Sequence, residues 1–317
     1  MVTVRHIARS ELAAFARLAG ATPAAARLET ALAEMWAAGE SRPEWCFVAE
    51  RDGRAAGRLA VAALPLGCGL DIIEHRLTAL RLADEGKGGV AVAAVAAALL
   101  RAAAGALPDG PQTLDARLNA ESHPHLAEWR QALERTGFAL FQEKQGFLWT
   151  DPRGPLTPPA RLTWQSLADA GRDAFAAAMA LGIAGTLDRN DRHYVGVCGA
   201  ERWGREMLGY LGPGDEQSWL LARAPDGTLA GYVAVSPFDE PDTATIIHIG
   251  VLPEHRGHGY IDELIAAAGR AARARGRGRM LSDVDTENGP MLAAMRRAGH
   301  VPDARAWHVW HYRHTAG

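Results

Sequence analysis

Two stretches of this chain repeat each other at one constant offset. Trp45–Val61 reads WCFVAERDGRAAGRLAV and Trp219–Val235 reads WLLARAPDGTLAGYVAV. Trp45 answers Trp219, Asp52-Gly53 answers Asp226-Gly227, and Ala56-Gly57 answers Ala230-Gly231. Each stretch is a pair of apolar runs joined by an Asp-Gly turn, the signal of a β-hairpin. The elements around the hairpins recur in the same order, so the chain reads as an internal duplication of one supersecondary plan. Between the copies, Asp151–Arg161 carries four prolines in eleven residues. Proline lacks the N–H that a helix interior or a central strand requires, so this stretch is expected to be a linker. The expected division is residues 1–151, a linker at 152–160, and residues 161–317.

Length and composition narrow the classes. The 317 residues are enough for two domains, each with its own core, and 48% apolar with 22% charged residues is ordinary for a globular chain. A net charge of −3 gives no general pull toward nucleic acid. The three cysteines, Cys46, Cys68 and Cys198, are far apart, which argues against a disulfide framework or a zinc cluster. Arg5, Arg9 and Glu11 interrupt the first apolar stretch, unlike a signal peptide. The most apolar run, Val90–Leu100, ends at Arg101 and is too short to span a bilayer. The expectation is a cytoplasmic protein with no membrane or nucleic-acid partner, monomeric or homodimeric.

The element order is mixed. The second half reads as a strand at Arg161–Ser166, helical segments near Ala170–Ala180 and Ala200–Leu211 with a polar, aromatic loop between them, then the hairpin. A strand at Thr243–Val251, a helix from about Gly259 to Arg275, a strand at Arg279–Val284, a helix at Pro290–Ala298 and a strand at Ala306–Arg313 follow. The first half runs similarly, with two strands expected within Phe138–Trp149. A doubly wound sheet would alternate strand and helix from the start; here a hairpin precedes the crossover, so the fold class is α+β. Each copy is expected to be a mixed, mostly antiparallel sheet flanked by helices.

One element carries chemistry. In VLPEHRGHGYIDELI (Val251–Ile265), Pro253 ends an apolar strand, and Gly257 and Gly259 flank one residue at the mouth of a helix. That helix shows an apolar stripe at Ile261, Leu264, Ile265, Ala268 and Ala272. The first-turn N–H groups of a helix lack intrahelical partners and carry the positive dipole end, while glycines allow close backbone approach. Together they form a phosphate cradle, with Arg256 beside it. It is not a Walker loop, because no Lys-Ser/Thr follows, nor a dinucleotide fingerprint, because the third glycine is missing.

Val251-Leu252-Pro253 followed by Arg256-Gly257-His258-Gly259-Tyr260-Ile261 resembles the signature of the GNAT superfamily of acyl-CoA-dependent N-acetyltransferases, and Asn288 and Gly299 keep that family's downstream spacing. The resemblance covers about Arg161–Arg313. It implies that backbone N–H groups from Arg256 to Ile261 hold the CoA pyrophosphate, that the main chain around Ile249–Val251 pairs with the pantetheine arm, and that Asn288 bonds further along it. It implies a reaction in which a neutral amine attacks the thioester directly, with acetyl-CoA or another acyl-CoA as cosubstrate and no metal. The chain departs from the pattern at Glu254, at Ile261, at His300 and above all at Met295, which stands where a tyrosine usually protonates the leaving thiolate.

Candidate proton-handling groups are therefore sought elsewhere. His248 lies on the central strand, three residues before Val251. Asp283 and Asp285 end the next strand, with capping as the alternative for Asp285. Tyr194 and Tyr260 are candidate acids. His308, His311 and His314 are spaced by three, which alternates faces on a strand and does not converge on a metal. In the first half, Glu85-Gly86-Lys87-Gly88-Gly89-Val90 keeps a G-x-G before a helix but puts Glu85 where the other copy has Arg256. This half resembles a degenerate GNAT copy with a structural or substrate-shaping role. The expected function is transfer of an acetyl or other short acyl group to a primary amine of a small molecule, with Asp188, Asp191, His193 and Tyr194 in the acceptor loop. The alternatives are a non-catalytic CoA-binding scaffold and a protein or peptide N-acetyltransferase.

Overall fold

The computed structural model describes residues 1–18, 20–63, 75–83, 89–108, 112–151, 161–210, 215–238 and 240–314. They gather into two compact units. The first takes its residues from the stretches up to 141 and from 308 onward; the second takes 142–307. The proline-rich stretch 152–160 lies outside the described residues. The division of the chain into units runs through two strands, β6 (Ala139–Thr150) and β12 (Val301–His314).

In the first unit, β1 (Val2–His6), β2 (Cys46–Arg51), β3 (Arg54–Ala63), β4 (His75–Leu82) and β5 (Gln112–Leu118) pair in that order. All neighbours are antiparallel except β4 and β5, which pair in parallel at His75↔Leu114 and Arg76↔Asp115. Residues 308–314 of β12 pair antiparallel with β5. The Asp-Gly turn is real: Asp52 and Gly53 both take positive φ, as the hairpin turn requires. One face is covered by α3 (Val90–Gly105) and α4 (Leu126–Arg135), whose Leu99, Leu100 and Trp129 pack on Leu59 and Val61. The other face carries α1 (Leu12–Ala16) and α2 (Pro23–Ala38), with Phe15, Leu32 and Trp36 against Cys46, Val48 and Ala60. The Ala-rich run Val90–Leu100 is thus a core helix, and no helix among the described residues is long and apolar enough to cross a membrane.

In the second unit the order is β6, β11 (Arg279–Asp285), β10 (Thr243–Val251), β9 (Leu229–Pro237), β8 (Trp219–Arg223) and β7 (Thr163–Ser166). The ladders are antiparallel except β10 with β11. A short α5 (Leu167–Ala170) leads into α6 (Arg172–Gly182); with α7 (Arg189–Cys198) and α8 (Ala200–Tyr210) they precede the hairpin. Helix α9 (Tyr260–Ala274) follows β10, and α10 (Gly289–Arg297) follows β11. The predicted stripe of α9 holds: Leu264, Ile265, Ala268 and Ala272 are buried.

The structure departs from the sequence reading at three places. The two strands expected within Phe138–Trp149 are one long strand, β6, and it runs through Gly146, where the Arg305 backbone leaves no room for a Cβ. Residues Val2–His6 form an edge strand whose alternation is too short to read alone. The polar stretch before α8, expected as a loop, contains α7, started by Asp188, whose carboxylate accepts the Asp191 N–H at 3.1 Å. No residue of α7 is buried, so no apolar periodicity announced it.

Candidate acyl-CoA and acceptor site

The site begins where two strands part. β10 pairs with β11 only through Thr243, Ala244 and Thr245, whereas its other edge follows β9 to Val251. β11 meanwhile stays on β6 to Asp285. The edge of β10 from Ile246 to Val251 that faces away from β9 therefore has no strand partner among the described residues. Such an edge can take an extended ligand by main-chain hydrogen bonds, which is the place expected for Ile249 and Val251. A register shift between Ile246 and His248 bends the strand at this point.

The open edge runs into the glycine loop. Gly257 and Gly259 have φ of 83° and 74°, a conformation that disfavours a side chain, and a Cβ on Gly257 would meet nothing within 4 Å. The main-chain N–H groups from Gly257 to Ile261 have no intramolecular acceptor among the described residues, while the next N–H, of Asp262, bonds Gly259 O at 3.2 Å. A row of free donors at the positive end of a fifteen-residue helix fits a pyrophosphate. Glu263, 2% exposed, fixes this end: its carboxylate accepts from the Arg161 and Leu162 N–H groups and pairs with Arg161 Nε at 2.6 Å. Sequence reading missed it, since a glutamate in a first turn looks like a solvated dipole partner.

Arg256 serves the loop differently from expectation. Its N–H bonds Pro253 O, and its side chain donates to Val251 O at 3.1 Å and to Gly182 O at 2.9 Å. It clamps the loop to β10 and to the end of α6. Tyr260 stands at the head of α9 with its ring against His258 and under the Arg161 guanidinium, 4.9 Å from the centroid. Ile261, in place of the small residue, packs its side chain into the core. Asn288 caps α10, accepting the Met291 N–H through Oδ1, and its amide nitrogen makes no bond among the described residues.

Beside the bend lies a polar chain. His248 Nδ1 is 3.0 Å from the Tyr232 hydroxyl, and His248 Nε2 is 3.3 Å from Asp191 Oδ2. The imidazole stacks on Tyr232 (17° between planes) and meets Trp203 edge to face. Tyr232 is fully buried; burial, then the Asp191 charge, push its hydroxyl well above the ordinary tyrosine range, so it stays a neutral phenol. It fits only because Gly182 and Gly250 lack side chains: a Cβ on either would come within 3.0 Å of its ring or hydroxyl. This arrangement can take up one proton, because an imidazolium at 248 donates Nε2–H to Asp191 and Nδ1–H to the tyrosine oxygen.

Asp285 is 2% exposed and already committed. Its oxygens accept from Gln142 Nε2 at 2.8 Å, the Arg189 N–H at 2.7 Å and the Glu287 N–H at 2.8 Å. It ties β11 to the starts of α7 and α10. Asp283 pairs with Lys144 at 2.9 Å, and Lys144 also reaches Asp188 at 3.6 Å. Burial opposes the charge on Lys144, but Asp283 and Asp188 outweigh it and raise its pKa. Asp188 is pushed up by burial, partly offset by Lys144. Tyr194 packs against the apolar cluster of α6 and α8. Met295 is fully buried with Phe147, Ile265 and Val284, and a thioether has no proton to give. His300 is 2% exposed, stacks near Trp149, and has no partner for either ring nitrogen among the described residues.

Residues 187–300 match the acetyltransferase (GNAT) family. A GCN5-related N-acetyltransferase from Sphaerobacter thermophilus superposes with a TM-score of 0.62 at 18% identity, covering 98% of this chain and 95% of that one. A tandem GNAT protein from the clavulanic acid biosynthesis pathway superposes at 0.55 and 17%, covering 100% and 99%. Both units thus lie within the span of a tandem GNAT fold. In sequence, streptothricin acetyltransferase of Streptomyces lavendulae is 40% identical over 80 residues, which is 25% of this chain and 42% of that protein. GNAT proteins use an acyl-CoA donor, and acyl transfer is the general activity that these matches support.

Proposed function

We propose that the second unit moves an acetyl group from acetyl-CoA to the amine of a small cationic molecule in the cytoplasm. The observation that carries this reading is the meeting of the unpaired β10 edge, the free N–H row at Gly257–Ile261, and the Asp191–His248–Tyr232 chain at one bend of one strand. Bound there, the thioester supplies an activated acyl carbon whose bond to sulfur breaks as the bond to nitrogen forms. The attacking nitrogen must shed a proton, and His248 receives it, with Asp191 holding the imidazole in place. Asp191 gives the acceptor mouth negative charge, which favours a substrate bearing a second ammonium. The partial likeness to streptothricin acetyltransferase supports a cationic natural product as acceptor.

Thiol release from acetyl-CoA is the test, with a panel of streptothricin, short diamines, neutral amines and lysine peptides. Turnover is expected on the cationic small molecules, and His248→Ala is expected to lower kcat by about 100-fold or more while KM for acetyl-CoA holds within a few-fold. The buried Met295 supports a second reading, a CoA-binding protein without turnover. Stabilisation by acetyl-CoA with no thiol release on any acceptor establishes that reading instead.

A further inference from the structure

The first unit has a feature that its role as a worn copy does not account for. By the hairpin repeat, Arg58 of β3 stands where the second unit has Tyr232. Its cross-strand partner is Arg81 of β4, where the second unit pairs Tyr232 with Gly250. Two arginines thus oppose each other across a ladder, an arrangement that is destabilising unless something neutralises it.

Arg58 is buried and donates only to carbonyls: Phe15 O at 2.8 Å, Ala16 O at 2.6 Å and Ala79 O at 3.3 Å. Arg81 Nε is buried with no hydrogen-bond partner. Neither guanidinium has a carboxylate within ion-pair distance among the described residues, whereas the buried carboxylates of Asp115 and Glu263 are both ion-paired, Asp115 with Arg76 and Arg117 and Glu263 with Arg161. Burial, reinforced by Arg81, lowers the Arg58 pKa to about 10. His123 senses the same charge: burial first, then Arg81, lower its pKa. Arg58 is thus buried without a counter-charge, its hydration replaced only by neutral carbonyls, and the partly buried Arg81 opposite it adds a second positive charge, so the position is costly to fold. Planar guanidinium donors match oxyanions in two-point geometry.

We infer that the first unit binds a small oxyanion, a carboxylate or a phosphate, between Arg58 and Arg81. The site lies on the sheet face of α1 and α2, the face that in the second unit carries His248 and Tyr232.

Thermal unfolding of the full chain in inorganic phosphate, acetate, citrate and chloride at matched ionic strength tests this. A saturable rise of about 2 to 4 °C in the oxyanions over chloride is expected, and whether phosphate or the carboxylates give it identifies the source. Arg81→Met is expected to abolish the response. Arg81→Glu, which sets a carboxylate opposite Arg58, is expected to raise the melting temperature in chloride and to remove any further response. Gly257→Glu, which blocks the second unit's cradle, is expected to keep the response. No oxyanion effect in the wild type, a response that survives Arg81→Met, or one lost in Gly257→Glu overturns the inference.

Discussion

The two units have the same plan and treat the same two positions oppositely. In the second unit the N-terminal end of α9 is open, with free N–H groups from Gly257 to Ile261. In the first unit the corresponding helix, α3, begins at Gly89, whose N–H donates to Glu128 Oε1 at 2.9 Å. The chain has supplied its own anion where the other copy leaves room for one. The rest of that loop, Glu85 to Gly88, lies outside the described residues. At the strand bend the contrast reverses. The second unit places a neutral phenol and an imidazole there, and the first places Arg58. The elements recur in both units, and a few side chains set them apart at the helix terminus and at the strand bend.

That contrast can be broken most directly at the cradle. Gly257→Glu forces a side chain onto a left-handed residue and aims a carboxylate at the phosphate position. Loss of turnover by about a thousand-fold or more is expected, with no stabilisation by acetyl-CoA in thermal unfolding. A Gly257→Glu variant that keeps wild-type turnover removes the distinction between the copies.

The next test sits in the cores. After matching glycines, the first unit buries Phe138 where the second buries His300. Burial lowers the His300 pKa from 6.5 to about 4. The unfolded chain then binds a proton that the folded chain refuses between those values, so stability is complete above about 6.5 and falls as pH drops toward 4. At about 1.4 kcal/mol per pH unit between the two pKa values, the loss is on the order of 3 kcal/mol. His300→Phe is expected to flatten this part of the stability curve in denaturant titrations at pH 7 and pH 4.5. An unchanged slope excludes His300 as its source.

The smallest effect is expected at the closed copy. Glu128→Gln keeps an acceptor for the Gly89 N–H but removes the charge from the α3 terminus. A loss below about 1 kcal/mol is expected by chemical denaturation, with turnover unchanged. A large loss of turnover shows that the first unit contributes to the reaction.

Much of this was legible in the chain. Hairpin, strand, glycine loop and amphipathic helix leave local periodicities and turn residues, and those survive without knowledge of neighbours. Asp285, by contrast, looked like a candidate base. Only its contacts with Gln142 and the N–H groups of Arg189 and Glu287 show it to be an anchor. Helix α7 left no apolar stripe because it buries nothing.

Sequence alone determined the duplication, the α+β class and the position of the glycine loop at the head of α9, because each depends on residues adjacent in the chain. The tertiary structure decided that β10 leaves β11 after Thr245, that His248 joins Asp191 and Tyr232, and that Glu128 closes the first copy. Those pairs lie 57, 16 and 39 positions apart. No local pattern links residues at such separations; burial and hydrogen-bond satisfaction in the folded chain bring them together.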